Sequence, residues 1–421
     1  MKVSAFAQVA YRKFADGFEK QNDSSVTTPW SLVDPTEVRA AYKDYLDGLM
    51  LAARSGFDGL VFTEHGQASY DMMANPSLVA SALAYATESE GLNVAIYPAG
   101  RSLGKSREPL RVAEEYAMID NICGGRLVAG FPVGLMYDAS INNGVPPIEI
   151  RGRFDENLAL VLKAWRENDA FMFNGKFSQF ECVNIWPRPQ QRPRPPVWLT
   201  GTGNPATMQV VFDQDFGFNY LSWFGTKITG PRIFGRFWEM AGKLGKPLNP
   251  HQLGILQVAC VAATDAEAER KYKKHIEYLF NRGPGAIAGE KLAIPGGIGL
   301  QGLHALMRDP SDFGIAHELR SVSYAKLVDV GSVIVGSVAT VTEQLTELAK
   351  THRIGNLHLM MQFGSMPREL AMENISLFGK EVVPKLKNVW KDEPHHWWPE
   401  RLGGRPRYSA TQPAARAMGG A

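Results

Sequence analysis

Short apolar runs and longer amphipathic stretches take turns along this chain, and that alternation admits few folds. A strand begins at Lys2. Residues 37–54 have helical spacing, with Ala40, Tyr42, Tyr45, Leu46, Leu49 and Met50 near one face, and residues 57–62 read as a strand directly after it. Helix 76–88, strand 92–97, helix 108–121, strand 126–131 and helix 151–167 repeat the pattern, and Cys123-Gly124-Gly125 supplies glycines that stop a helix and turn the chain. Strands separated by helices run parallel and are joined by right-handed crossovers. Residues 197–200, 216–222, 253–263 and 357–362 bring the total to about eight strands, the number that closes a (β/α)8 barrel, an α/β fold.

Two stretches exceed a minimal barrel. Residues 171–189 alternate in polarity around the turn dipeptide Asn174-Gly175 and read as a hairpin, followed by PRPQQRPRPP, too rich in proline for helix or sheet. This places one insertion near 169–196. A second, 282–321, holds GPGAIAGEKLAIPGGIGLQGLH and is expected to form a mobile lid over the site. The barrel should occupy residues 1–390. The tail 391–421, with HHWWPERLGGRPRY, should cover a partner subunit or lack fixed structure.

The 421 residues, 45% apolar and 21% charged, suit a protein with a large core. A net charge of +2 gives no reason to expect nucleic acid or an anionic membrane as partner. No apolar run approaches the roughly 20 residues that span a bilayer, and the N-terminus does not read as a secretory signal. Cys123, Cys182 and Cys260 are scattered, without CxxC spacing. They argue against a disulfide framework or a metal site and for a reducing, cytoplasmic setting.

In a parallel barrel, chemistry gathers where strands end and loops begin. GFDGLVFTEHG ends an apolar strand on Glu64 and His65, so both are rim residues. PAGRSLG, Pro132-Val133-Gly134 and TGTGN, residues 200–204, fall at equivalent places. In TGTGNPAT, Thr200, Gly201, Thr202 and Gly203 lead into a helix from Pro205 with Thr207 in its first turn. Such a helix start offers N–H donors and hydroxyls to a phosphate. Arg101 ends the third strand and is placed to meet a bound ring or to pair with Glu64. Tyr137, Trp223 and Phe224 follow the fourth and sixth strands and offer aromatic walls, although core packing explains such residues as well.

These rim stretches, together with LNVAIYPAGRSLGKSREPLRVAEEYAMIDNICGGRLVAGFPVG, RGRFDENLALVLKAW, NIWPRPQQRPRPPVWLTGTG and GSMPRELAMENISLFGKEVVPKL, carry a resemblance. The chain resembles the luciferase-like flavin monooxygenase superfamily from about residue 3 to residue 390. The resemblance implies a TIM-type barrel that binds flavin at the C-terminal ends of its strands. It implies reduced FMN from a separate flavin reductase, and O2 to oxygenate a small organic substrate. His65, with Glu64, falls on the family's catalytic motif, and Gly66 stands where a second histidine is often found. The small, hydroxyl-rich turn at 200–203, with Thr207, corresponds to the family's flavin-phosphate turn. An arginine that contacts the phosphate in the luciferase branch is replaced by Pro132-Val133. A second family arginine aligns with Arg153, which either carries that charge or pairs, like Arg151, with Asp155 and Glu156 on a solvated helix start.

Within the same superfamily, a deazaflavin-dependent oxidoreductase would pass hydride and need no oxygen. A catalytically silent flavin-binding subunit is a further possibility. Absence of a GxGxxG stretch after the first strand argues against a built-in nicotinamide domain. Apolar residues between the glycines of 282–321 favour an apolar or aromatic substrate. The superfamily commonly pairs through helices near the second and third strands. Met72-Met73-Ala74 and helix 77–88 offer such a face, so a homodimer is expected, or a homotetramer that also uses Trp397-Trp398.

Overall fold

The computed structural model describes residues 1–18, 25–283, 287 and 319–400. Its first half alternates strictly: β1 (Lys2–Ala7), α1 (Pro35–Arg54), β2 (Gly59–Phe62), α2 (Pro76–Ser89), β3 (Ala95–Pro98), α3 (Pro109–Ile122), β4 (Ala129–Gly130) and α4 (Ile150–Arg166). An antiparallel hairpin follows, β5 (Phe171–Asn174) and β6 (Gln179–Val183). The alternation then resumes with β7 (Val197–Gly201), α5 (Pro205–Asp213), β8 (Gly217–Leu221), α6 (Thr226–Lys243), β9 (Leu253–Ala262) and α7 (Asp265–Arg282). After the second insertion come α8 (Tyr324–Asp329), β10 (Val333–Ser337), α9 (Val338–Thr351), β11 (Asn356–Gln362) and α10 (Arg368–Leu377).

Three of the helix starts have a common local cause. Asp34, Asn75 and Asn204 each accept a hydrogen bond from a first-turn N–H, and Pro35, Pro76 and Pro205 follow them. A capping side chain satisfies an otherwise orphaned donor, and proline is preset for the first helical position.

Parallel strands pair in the order β3-β2-β1-β11-β9-β8-β7-β4, and a bridge between Ile96 and Leu127 links β3 to β4, nearly closing an eight-strand barrel. This is the expected fold. β10 was not foreseen; it extends the sheet by pairing with the C-terminal half of β9, beyond the end of β8. Its run Val333-Ile334-Val335 lies in a short apolar stretch, which periodicity alone cannot distinguish from a helix segment.

Successive residues of a strand point to opposite faces, and the core divides accordingly. Val3, Ala5, Leu60, Phe62, Ile96, Leu199, Phe218, Ile255 and Leu357 pack outward under the helices. Phe6, Val61, Tyr97, Trp198, Leu256, Val258 and Met360 pack inward to fill the barrel.

Trp397 and Trp398 close the N-terminal mouth of the barrel. Trp198 Nε1 donates to the Trp397 carbonyl at 2.8 Å, and Trp397 Nε1 donates to Asp215 Oδ1 at 3.1 Å. The Trp398 ring meets Tyr97 edge-on and packs against Gly59, where a Cβ would lie 2.9 Å from it. The two tryptophans expected on a partner subunit are thus buried against their own barrel. Most of the insertion 282–321, with its expected lid, and all residues from 401 lie outside the described residues. No helix among the described residues is long and apolar enough to cross a membrane.

Candidate active site

β2 delivers Glu64 and His65 to the C-terminal rim. The Glu64 backbone lies so close to the turn after β3 that a Cβ on Gly100 would strike its nitrogen, so only glycine fits there. The buried Glu64 carboxylate accepts from Ser102 N at 3.1 Å and from Arg101 Nη1 at 3.1 Å, and it pairs with Lys105 Nζ at 3.2 Å. Arg101 also reaches Glu115 at 3.2 Å, and Lys105 reaches Asp138 at 2.7 Å. Asp138 Oδ1 in turn accepts from Gly66 N at 3.3 Å. Burial raises the pKa of Glu64, against the pull of Lys105 and Arg101. This network ties both sides of His65 to the turns after β3 and β4. Glu64 is held in it and has no hydrogen bond to the imidazole among the described contacts.

The His65 partner is Tyr137, whose Oη lies 3.2 Å from Nδ1. Tyr137 opens a short π-helical turn, Tyr137–Asn142, a geometry frequent at functional sites. Its hydroxyl also hydrogen-bonds Tyr70, and the Tyr70 ring packs on His65 at 5.0 Å. An ordinary imidazole titrates near 6.5, the value expected from sequence; burial lowers that of His65 to about 4. The ring is therefore neutral near pH 7. Beneath it, Asp71 accepts from Val9 N at 3.0 Å and from the Thr63 hydroxyl, and burial raises its pKa to about 7.

The second rim feature lies at the end of β7. Asn204 caps α5 through Ala206 N, Thr202 is exposed, and Gly203 adopts a φ of +96°, which favours glycine. Thr200 Oγ1 donates to the Ala99 carbonyl at 3.4 Å, joining this loop to the exit of β3. Arg151 Nη1 donates to Thr207 Oγ1 at 3.2 Å, and Arg236 donates to the Gly203 carbonyl at 3.2 Å. Arg153, expected here from alignment, instead pairs with Glu149 at 2.8 Å and stacks on Phe177 at 4.6 Å. Arg151, weighed as a partner of Asp155, does pair with it at 3.0 Å but also reaches the loop. Glu156 accepts from the backbone of Lys176, Phe177 and Ser178 and so holds the hairpin turn.

The proposed aromatic walls separate. Tyr137 joins His65, whereas Trp223 is buried edge-on against Phe280 at 5.6 Å, and Phe224 packs on the same interior cluster. Lys105, Asp138, Tyr70 and Asp71 escaped sequence reading. Lys105 and Asp138 are 33 positions apart, and no local spacing joins them. Among the described residues, no cluster of three or more His, Cys, Asp or Glu could hold a metal.

A parallel barrel whose rim carries a buried charge network, a neutral histidine and an arginine-flanked helix start has the architecture of a cofactor-using enzyme. Residues 23–352 match the luciferase-like monooxygenase family model, so the chain belongs to that family and is an enzyme of the flavin-dependent monooxygenase class. It is 27% identical over 228 residues to an FMNH2-dependent dimethylsulfone monooxygenase of Pseudomonas putida, covering 52% of this chain and 58% of that one. It is 27% identical over 169 residues to the oxygenase component of a flavin-dependent trigonelline monooxygenase of Acinetobacter baylyi, covering 39% and 45%. The matched stretches thus span about half of each of these relatives. The fold is similar to that of the oxygenating constituent of 3,6-diketocamphane monooxygenase from Pseudomonas putida in complex with FMN. The TM-score is 0.68 at 19% identity, covering 91% and 98% of the two chains. An F420-dependent secondary alcohol dehydrogenase shares the fold with a TM-score of 0.63 at 15% identity, covering 91% and 98%.

Proposed function

We propose that this chain is the oxygenase component of a two-component FMN-dependent monooxygenase, taking reduced FMN from a separate reductase and oxygenating a small apolar or aromatic substrate. The observation that carries the cofactor is the Arg151 guanidinium beside the N-terminus of α5. The cation and the exposed Thr202 hydroxyl, set at a helix start whose dipole favours an anion, belong to the donor set that a phosphate monoester needs. Arg151, Thr202, Thr207 and the backbone of 200–204 would hold the FMN phosphate. Bound reduced FMN supplies the two electrons with which one oxygen atom enters the substrate and the other leaves as water.

His65 would face the reaction as a neutral ring, oriented by Tyr137 and braced by the Glu64–Lys105–Asp138 network. Phe6, Val61 and Met360 fill the barrel beneath the rim and keep water out of it. The two buried thiols and the exposed Cys182 are all free, which fits a cytoplasmic setting. For assembly we propose a homodimer through α2 and α3. Leu78 and Tyr85 on α2 are 72% exposed and Met118 on α3 is 52% exposed. A monomeric mass at micromolar concentration would refute the dimer.

Anaerobic titration with FMN and with a deazaflavin, followed by oxygen uptake with a flavin reductase present, tests the main reading. FMN binding and substrate-dependent oxygen uptake are expected. Tighter deazaflavin binding with hydride transfer and no oxygen uptake would replace it with the oxidoreductase reading. Flavin binding without turnover under any reductase would support a silent subunit.

A further inference from the structure

Tyr70, Tyr137 and His65 share two hydrogen bonds in a row: Tyr70 Oη with Tyr137 Oη, and Tyr137 Oη with His65 Nδ1 at 3.2 Å. Protons can run along this row in two directions. In one, Tyr70 donates to Tyr137, and Tyr137 donates to Nδ1. In the other, Nδ1–H donates to Tyr137, Tyr137 donates to Tyr70, and the Tyr70 hydroxyl hydrogen needs a further acceptor. Tyr70 is 4% exposed and packs among Val26, Ala68, Leu135, Tyr137 and Ile287. Among the described residues its hydroxyl bonds to Tyr137 alone. The second direction strands a buried donor, and an unmet donor costs its full desolvation.

We infer that the Tyr70–Tyr137 pair fixes His65 in the tautomer protonated at Nε2, so that the ring offers the site a hydrogen-bond donor and not a base. The tautomer of a histidine is set by what its other nitrogen meets, and here Nδ1 meets a hydroxyl that has no other use for its proton. The depressed pKa of the ring agrees, since burial outweighs Asp138, and Lys105 adds to the lowering. A neutral Nε2–H donor is suited to negative charge gathering on a bound reactant, where a preorganised donor costs no reorganisation. Tyr70 and Tyr137 are then positioning residues, and the chemical meaning of the row rests on the function proposed above.

The test is nitrogen NMR of the full chain with isotope-labelled histidine, free of flavin, near neutral pH. The His65→Gln spectrum identifies the His65 signals among the nine histidines. An unprotonated Nδ1 and a protonated Nε2 are expected in the wild type, and a mixture of tautomers in Tyr137→Phe. Tyr70→Phe should keep the wild-type tautomer, because the Tyr137 hydroxyl then has only Nδ1 as its acceptor. A protonated Nδ1 in the wild type overturns the inference whether or not the variants fold. An unchanged His65 tautomer in folded Tyr137→Phe overturns it too. In turnover assays Tyr137→Phe should lower kcat by about tenfold or more while the FMN Kd stays constant, the pattern of a group acting on the chemical step. The spectrum reads the tautomer even if the wild type oxygenates nothing, so the inference and the proposed function fail separately.

Discussion

His65 combines two properties that a sequence displays poorly, a neutral ring and a fixed orientation. Its pKa of about 4 places its titration below the working range of most enzymes. His65→Ala should retain FMN binding while product formation falls by roughly 10²–10³-fold, the scale of losing a preorganised donor, with hydrogen peroxide appearing in its place. The wild-type rate should show no limb near pH 6.5 that disappears in the variant; finding one would make His65 a titrating base. Asp71 behaves oppositely, its pKa rising from 3.8 to about 7. Between those values the folded chain keeps a proton that the unfolded chain has released. Raising pH across that window therefore favours unfolding, and the full cost is present above about 7. Asp71→Asn removes this term. The urea midpoint of the variant relative to the wild type should climb with pH across the window, and a flat difference would show that Asp71 is ionised in the fold.

Helix α4 gives two neighbouring arginines separate tasks. Arg151 and Arg153 are two residues apart, so a helix of 3.6 residues per turn directs them to different sides. One reaches the α5 start, the other the hairpin. Arg151→Ala should weaken FMN binding by about 1.5–3 kcal/mol, or roughly 10–100-fold in Kd, the scale of a hydrogen bond to a charged group. Arg153→Ala should leave FMN Kd unchanged and loosen the hairpin, read as faster proteolysis between Phe171 and Val183. Reversed results in the titration would restore the alignment-based assignment. Glu156, on the same helix, pairs with neither arginine among the described contacts and caps the hairpin turn through backbone donors.

At the scale of the molecule, the barrel has a chemical end and a structural end. The rim carries the charge network, and the opposite mouth is filled by the chain's own Trp397 and Trp398. Trp398→Ala should cost about 3–5 kcal/mol of stability, as removal of a large buried aromatic does, with turnover near normal well below the melting temperature. An unchanged melting temperature would mean that the tryptophan is not buried as described. Asn249 Nδ2 donates to the Pro394 carbonyl at 2.6 Å, and the N-terminal amine lies 3.3 Å from the Lys387 carbonyl, so the segment before the plug is anchored at several points.

The sequence by itself determined the barrel, its eight strands apart from the added β10, the hairpin and the rim position of Glu64, His65 and the 200–207 loop. Those properties follow from periodicity, caps and turn residues, which act over a few positions and are written locally. It left Arg101 between a bound ring and Glu64, and the structure shows the pairing with Glu64. Only the tertiary structure decided that Arg151 and not Arg153 faces the loop, that Lys105 joins Glu64 to Asp138, and that Tyr70 and Tyr137 stand behind His65. It alone placed Trp398 against Gly59. These contacts join positions tens to hundreds apart, and their partners are chosen by which faces barrel closure brings together. The pKa of His65 belongs to the same group, since desolvation depends on what surrounds a ring and not on its neighbours in the chain.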